Sequence, residues 1–355
     1  MKRFLSRCLV IVLLSLLPNL IIGILRFNAG DPIPYYLNRE KSHITKSQTY
    51  SLANKRIYSI PKGDLSKQPL LGTDSVLKIF DQFGFSNVVE NKSPEILLIG
   101  DSYLDNNREN AFAGFQALIN KKLNGNIAFN IGGNGCSGFK VYNELNESYF
   151  KSKPKLIVLE VVERLAQEVI SSLPSDLKER KVKTKKYKYF YVDLILGNNF
   201  SNIGQSNLFS KNKNGFTKDI QGEKIWFLSN KPTIYPDSIL NQMVNSMKLT
   251  ESILEKEGIK VMFVIAPDKE TMYPQVFGKS SLEKLYAEMK NQKLLYINTD
   301  SLFKSQDRKF FYDGDTHWNQ NAIKTITDRI SEKYKELYPQ LIRGNHILAN
   351  KAASL

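Results

Sequence analysis

Five short aliphatic runs constrain the fold of this chain more than any other feature: Ile96–Ile99, Ile127–Ile131, Leu156–Val161, Val261–Ile265 and Leu294–Ile297. Each has the length of a strand, and each is apolar at consecutive positions, as a strand covered on both faces requires. Between them apolar residues recur with helical spacing over Asn106–Lys122, Gly138–Phe150, Asp237–Glu257 and Ser281–Asn291, and again over Asn319–Tyr334 after the last run. Gly258 stands where the Asp237–Glu257 helix needs a C-cap. Strands alternating with helices in this way imply an α/β fold, a doubly wound and mostly parallel five-stranded sheet across residues 91–335. With 42% hydrophobic and 24% charged residues, the composition is that of a globular chain and excludes global disorder.

The segments outside this rhythm carry their own signals. Lys2, Arg3 and Arg7 precede an apolar run, Leu9–Leu25, close to the length that spans a bilayer. Arg26 and Phe27 come directly after it, with no small-x-small cleavage site, so residues 1–27 are expected to form an uncleaved signal anchor, a single transmembrane helix, with a cleaved signal peptide as the alternative. The basic residues before it place the N-terminus in the cytoplasm and the remainder in the periplasm or outside the cell. Residues 28–90, broken by Pro32, Pro34, Pro61 and Pro69, are expected to be a stalk and lead-in with one short helical pattern at Asp74–Phe83. Residues 171–235 interrupt the alternation and are expected to be an inserted cap segment, and 336–355 a C-terminal tail. The insertion holds a basic run, Lys178–Lys188, which is either a solvated face or a contact for anionic lipid or an acidic glycan. The formal net charge of +15 favours an anionic neighbour, and no nucleic-acid motif supports a nucleic-acid partner. Cys8 and Cys136 are too differently placed for an internal disulfide, and no His/Cys cluster has zinc-ligand spacing. No metal and no cofactor is therefore expected.

Gly100-Asp101-Ser102 ends the first aliphatic run and leaves a hydroxyl just past the carboxyl end of a strand, where open α/β sheets bind ligands. Ser102 is either a nucleophile or a helix N-cap, and this stretch alone does not separate the two. A nucleophile needs a base. Of the three histidines, His43 and His346 lie outside the α/β core, while His317 sits in Phe311-Tyr-Asp-Gly-Asp-Thr-His-Trp-Asn319 before the last helix. Asp315 is placed to orient its imidazole, with Asp313 as the alternative. The second run ends in Phe129-Asn-Ile-Gly-Gly-Asn-Gly-Cys-Ser-Gly138, whose glycines let backbone N–H groups approach an oxyanion.

These blocks together resemble the SGNH (GDSL-like) hydrolase superfamily, with the Ser, Gly-rich and Asp/His blocks in their expected places on the sheet. Leu159-Glu-Val-Val-Glu-Arg164 stands where that superfamily carries Gly-x-Asn-Asp, and acid and base read Asp315-Thr-His317. Both features, with Pro267-Asp-Lys-Glu-Thr-Met-Tyr273, are similar to the alginate O-acetyltransferase branch, the AlgJ- and AlgX-like proteins. The resemblance implies an SGNH/flavodoxin-like sheet and a Ser102–His317–Asp315 triad. It implies oxyanion donors at Gly135, beside Asn134, and at Ser102 itself. Arg164, Lys269 and Tyr273 become candidate oxyanion or substrate contacts. Arg164 has the alternative of pairing with Glu160 or Glu163, Trp318 that of packing the His loop, and Cys136 that of a small buried residue.

The expected function is that of an anchored O-acetyltransferase acting on a surface or secreted polysaccharide through an acetyl-serine. Acetyl-CoA is cytoplasmic, so the resemblance implies a membrane-bound O-acyltransferase partner as acetyl source. An acetyl esterase with the same triad, and an inactive glycan-binding or scaffold subunit, are the alternatives.

Overall fold

The computed structural model of the chain describes residues 52–70, 74–105, 108–133, 138–178, 215–306 and 309–340. All of them belong to one compact unit, His43–Lys181 with Asn214–Leu355; the other unit, Met1–Ser42 with Val182–Lys213, consists of residues outside those described. The expected signal anchor at 1–27, the basic run after Lys178 and most of the tail likewise lie outside the described residues. Among the described residues, no helix is long and apolar enough to cross a membrane.

The strands, in chain order, are β1 (Arg56–Ser59), β2 (Val76–Ile79), β3 (Ile96–Ile99), β4 (Ala128–Asn130), β5 (Leu156–Val162), β6 (Phe216–Ile220), β7 (Glu223–Phe227), β8 (Lys260–Ala266) and β9 (Tyr296–Ile297). The helices are α1 (Phe115–Lys122), α2 (Gly138–Ser148), α3 (Ala166–Lys178), α4 (Asp237–Glu255), α5 (Pro274–Phe277), α6 (Leu282–Asn291), α7 (Thr299–Lys304) and α8 (Gln320–Leu337). The five aliphatic runs form one sheet in the order β4-β3-β5-β8-β9, and every pairing in it is parallel.

Alternation along β3 divides the core. Leu97 and Ile99 join α2, α3, α4 and α6 on one face, while Ile96 and Leu98 join α1, α7 and α8 on the other. All seven residues of β5, the middle strand, are buried. Each such Leu or Ile contributes about 1.5–3 kcal/mol by leaving water, which explains why apolarity on consecutive positions specifies a doubly covered strand. Gly258 does adopt positive φ (75°) after α4, the conformation a glycine C-cap supplies.

Four expectations are corrected. Asp74–Phe83 is not helical: Val76–Ile79 pairs antiparallel with β1, because burying Val76 and Ile79 beside a partner strand outweighs a weak local helical pattern. The described lead-in is no free stalk, since its residues belong to the same unit as the sheet and hydrogen-bond to the His317 loop. The expected Asn106–Lys122 helix begins only at Phe115, because Gly114 is extended (φ −82°, ψ 169°) at its N-cap. Finally, 171–235 is not one cap: 171–178 complete α3, which packs its apolar face on the sheet, and β6 and β7 form an antiparallel pair.

Several carboxyls are buried in this body. Burial raises Asp81 and Asp105 to about 6, Glu109 to about 7 and Glu163 to about 8, and pushes Glu160 well above the usual carboxyl range. Because the folded state holds these protons more tightly than the unfolded chain, stability is greatest near the ordinary carboxyl range and falls as pH rises toward 8. Lys269, lowered to about 8 by burial, acts in the opposite sense only above that pH. The melting temperature in moderate salt should therefore drop by about 3 °C or more between pH 5.5 and pH 8. A flat or rising profile over that interval would refute the assignment.

Candidate active site

The turn after β3 is shaped by what presses on it. Gly100 packs so tightly on β5 that a Cβ there would lie 2.5 Å from Glu160 Oε2. Asp101 then closes the turn: its N–H donates to Glu160 Oε2 (3.1 Å), and its Oδ1 accepts from the Tyr103 N–H (3.0 Å). Ser102 sits between these two fastened neighbours with its hydroxyl on His317. Among the described residues it caps no helix, since the 3-10 turn Ala111–Ala113 is capped by Asn110 and α1 by Gly114.

The His317 loop reaches the serine from the N-terminus of α8. Lys269, at the end of β8, fastens it from beneath by donating to the carbonyls of Tyr312 (2.5 Å), Asp313 (2.8 Å) and Asp315 (3.2 Å). Trp226 of β7 donates its backbone N–H to Asp313 O (2.9 Å), and Tyr103 Oη–H donates to Thr316 O (2.7 Å). Trp318 is buried against Tyr103, Phe115 and Phe303, and Phe311 bridges to it across the loop. Packing, and not ligand contact, is thus the role its position gives Trp318.

Within the loop, Asp315 is fully buried and satisfied on both oxygens. Oδ1 accepts from the His317 N–H (2.8 Å) and lies 2.5 Å from His317 Nδ1; Oδ2 accepts from the Asp64 N–H (3.0 Å) and Arg108 Nε (3.2 Å). Burial alone would raise this carboxyl, but the hydrogen bonds and charge of His317 and the Arg108 guanidinium outweigh it and hold it well below the usual range. An ionised carboxylate only accepts, so the proton between them belongs to Nδ1. Nε2 then presents its lone pair to Ser102 Oγ, 2.8 Å away. A Ser–His–Asp relay is complete, and it can take a proton from the serine hydroxyl.

The other expected site residues fall elsewhere. Arg164 pairs with neither Glu160 nor Glu163 but with Asp268 of the Pro267-Asp-Lys block (2.6 Å). Glu163 Oε2 instead accepts from the Asp268 N–H (2.9 Å) and Thr271 Oγ1 (2.7 Å), so the ends of β5 and β8 are tied together. Lys269 serves the back of the His loop, its ammonium spent on carbonyls. Tyr273 stands edge-on to Phe227 with ring centroids 5.4 Å apart, a packing contact. Asn134, Gly135 and Cys136 lie outside the described residues. Of the described glycines before them, Gly132 N–H is held by Asn130 Oδ1 (2.8 Å) and Gly133 N–H by Gly100 O (3.3 Å).

Asp64 and Arg108 were not foreseen, and nothing local in the sequence marks them. Asp64 stands 251 positions from Asp315. Donor atoms of Asp64, Asp315 and His317 lie within 4.8 Å of one another, near enough to hold a cation. Each of those side chains already has a hydrogen-bond partner of its own.

Along the outer side of the loop runs a shallow cleft of about 460 Å³, whose walls include Trp226, Lys224, Lys309, Tyr312, Asp313 and Gln68. Lys309 is bridged to Glu223 and Asp313, whereas the exposed Lys224 and the partly buried Trp226 line the cleft.

Comparison with known families matches residues 220–351 to "SGNH hydrolase-like domain, acetyltransferase AlgX". The likeness covers the half of the site that carries His317. It includes Lys269, Tyr273 and Asp315, and stops short of Ser102 and Asp64, so the serine half of the site stands on geometry alone. No curated protein matches the chain. Among solved structures, an acetyl xylan esterase from the rumen bacterium Butyrivibrio proteoclasticus is similar at 10% identity, covering 75% of this chain and 68% of that one, with a TM-score of 0.33. An aryl esterase of M. smegmatis is similar at 10% identity, covering 69% of this chain and 100% of the other, with a TM-score of 0.33.

Proposed function

We propose that the chain is a membrane-anchored, extracytoplasmic O-acetyltransferase that acetylates a cell-surface or secreted polysaccharide through an acetyl-serine on Ser102. The observation that carries this reading is the continuous relay from Ser102 Oγ to His317 Nε2 (2.8 Å) and from Nδ1 to Asp315 (2.5 Å). His317 takes the Ser102 proton as Oγ bonds to the acetyl carbon of a donor. The donor's leaving oxygen or sulfur departs with that proton as the tetrahedral intermediate collapses. A sugar hydroxyl then gives its proton to His317 and attacks the acetyl-serine; the ester bond to Oγ breaks, and the proton returns to Ser102. The oxyanion of each intermediate is assigned to the N–H groups of Ser102 and Gly135.

The acetyltransferase description of the matched family supports transfer over hydrolysis, and the +15 charge suits an anionic surface or polymer. The basic, apolar run at 1–27 supports the anchor. An acetyl-CoA pool confined to the cytoplasm calls for a membrane-bound O-acyltransferase partner to pass acetyl groups outward. The cleft beside the His loop is assigned to the acceptor chain, with Trp226 offering a flat apolar surface to the C–H face of a sugar ring.

The test uses the purified chain, a chromogenic acetyl ester and oligosaccharides. Acetylated sugar should accumulate at the expense of free acetate. Acetate release indifferent to acceptor would make the chain an esterase, and no release at all would leave the scaffold alternative. Trp226→Ala should raise the KM for the oligosaccharide about tenfold, the value of roughly 1.4 kcal/mol of lost contact, with acceptor-free ester cleavage unchanged. An unchanged KM would remove the acceptor from that cleft.

A further inference from the structure

We propose that Asp64 is a positioning residue of this site, and that it acts by capturing the Thr316 hydroxyl proton so that His317 keeps its own proton on Nδ1. The inference rests on the acyl-transfer reading of Ser102 and His317 and extends it to a residue outside the matched family segment.

The Asp64 carboxylate is divided between two groups of one residue. Oδ1 accepts from the Thr316 N–H (2.8 Å), and Oδ2 accepts from Thr316 Oγ1–H (2.5 Å). Thr316 Oγ1 is itself 3.4 Å from His317 Nδ1. A free hydroxyl at that place could rotate and donate to Nδ1. The imidazole proton would then sit on Nε2, and Nε2 could no longer accept from Ser102. With its proton committed to Asp64, Thr316 Oγ1 turns only lone pairs toward the ring. Among the described residues the near acceptor for an Nδ1 proton is then Asp315 at 2.5 Å, with Thr316 Oγ1 at 3.4 Å and Asp64 Oδ2 at 3.7 Å both beyond the usual range.

The segment that brings Asp64 is itself fastened to the loop. Leu65 and Ser66 donate their N–H groups to Gly314 O (3.3 and 3.0 Å), and the Asp64 N–H donates to Asp315 Oδ2 (3.0 Å). Gly63 and Gly314 approach so closely that a Cβ on Gly63 would lie 2.2 Å from Gly314 O. These backbone bonds do not need the Asp64 side chain, so a substitution there changes the Thr316 proton without undocking the segment.

Two readouts test this, one of them independent of turnover. In full-length protein labelled with 15N-histidine, only three histidines contribute, and ring nitrogen shifts report the tautomer of His317. Wild type should show the Nδ1–H form. Asp64→Ala should shift a measurable part of the His317 population toward Nε2–H, the rest still held by Asp315, and lower kcat for acetyl-ester cleavage by about twofold or more, with KM within twofold. Thr316→Val in the Asp64→Ala background removes the competing hydroxyl, and should restore the Nδ1–H form and most of kcat. If Asp64→Ala does not fold, Asp64→Leu, close in size and without an acceptor, takes its place in both measurements. An unchanged tautomer and rate in the Asp64 variant would overturn the proposal. So would a loss that Thr316→Val does not relieve, which would mean only mechanical bracing. If wild type cleaves no ester in a Ser102-dependent way, the acyl-transfer reading fails, while the tautomer measurement still decides the role of Asp64.

Discussion

Ser102→Ala should leave a folded protein whose acetyl-ester cleavage is lower by about 10⁴-fold or more, the loss expected when the nucleophile of a relay is removed. Only Oγ is lost, and the turn around it is held by Gly100, Asp101 and Tyr103 through contacts that do not involve that atom. His317→Ala should cost about as much, and the double variant little more, because the two side chains act as a unit through one 2.8 Å hydrogen bond. A serine-directed sulfonyl fluoride should label Ser102 in wild type and fail to do so after His317→Ala. Equal labelling of both proteins would show a serine that reacts without a base, and would remove the relay.

Asp315→Asn should lower kcat by about 10³–10⁴-fold while leaving the fold intact. The amide is nearly the same size and can still accept from one neighbour, but it can no longer hold the proton of Nδ1 as a carboxylate does. Asp315→Ala should add a stability loss of about 3–5 kcal/mol. That substitution strands the Arg108 guanidinium and leaves the backbone N–H groups of Asp64 and His317 without acceptors inside the protein. Chemical denaturation separates the two effects. If Asn and Ala variants unfold at the same denaturant concentration as wild type, the buried acid is not bracing the loop.

The tie between Arg164 and Asp268 explains why two motifs that look like site blocks contribute little direct contact with the serine. A carboxylate and a guanidinium at neighbouring strand ends satisfy each other at 2.6 Å. Lys269 behaves similarly, since a buried ammonium must find acceptors and the nearest are loop carbonyls. The spacing of these residues along the chain is the same whether they meet substrate or support the loop. The helical pattern at Asp74–Phe83 misled for a related reason. A four-residue strand is decided by its partner, here β1, and not by its own periodicity.

The sequence alone determined whatever depends on neighbours in the chain. Consecutive aliphatic residues specify covered strands, and helical spacing between them makes the sheet parallel. Asp315 and His317 could be paired on paper because they are two residues apart in one loop. Ser102 could be nominated because it lies just past a strand. Only the tertiary structure decided that this hydroxyl reaches Nε2, and that Arg108 and Asp64 complete the acid's surroundings. Those contacts join residues more than 200 positions apart, and the one made by Asp64 comes from a lead-in that looked like a stalk. Local patterning carries no information about such partners. They are set by which buried polar groups need one another once the chain has closed around them.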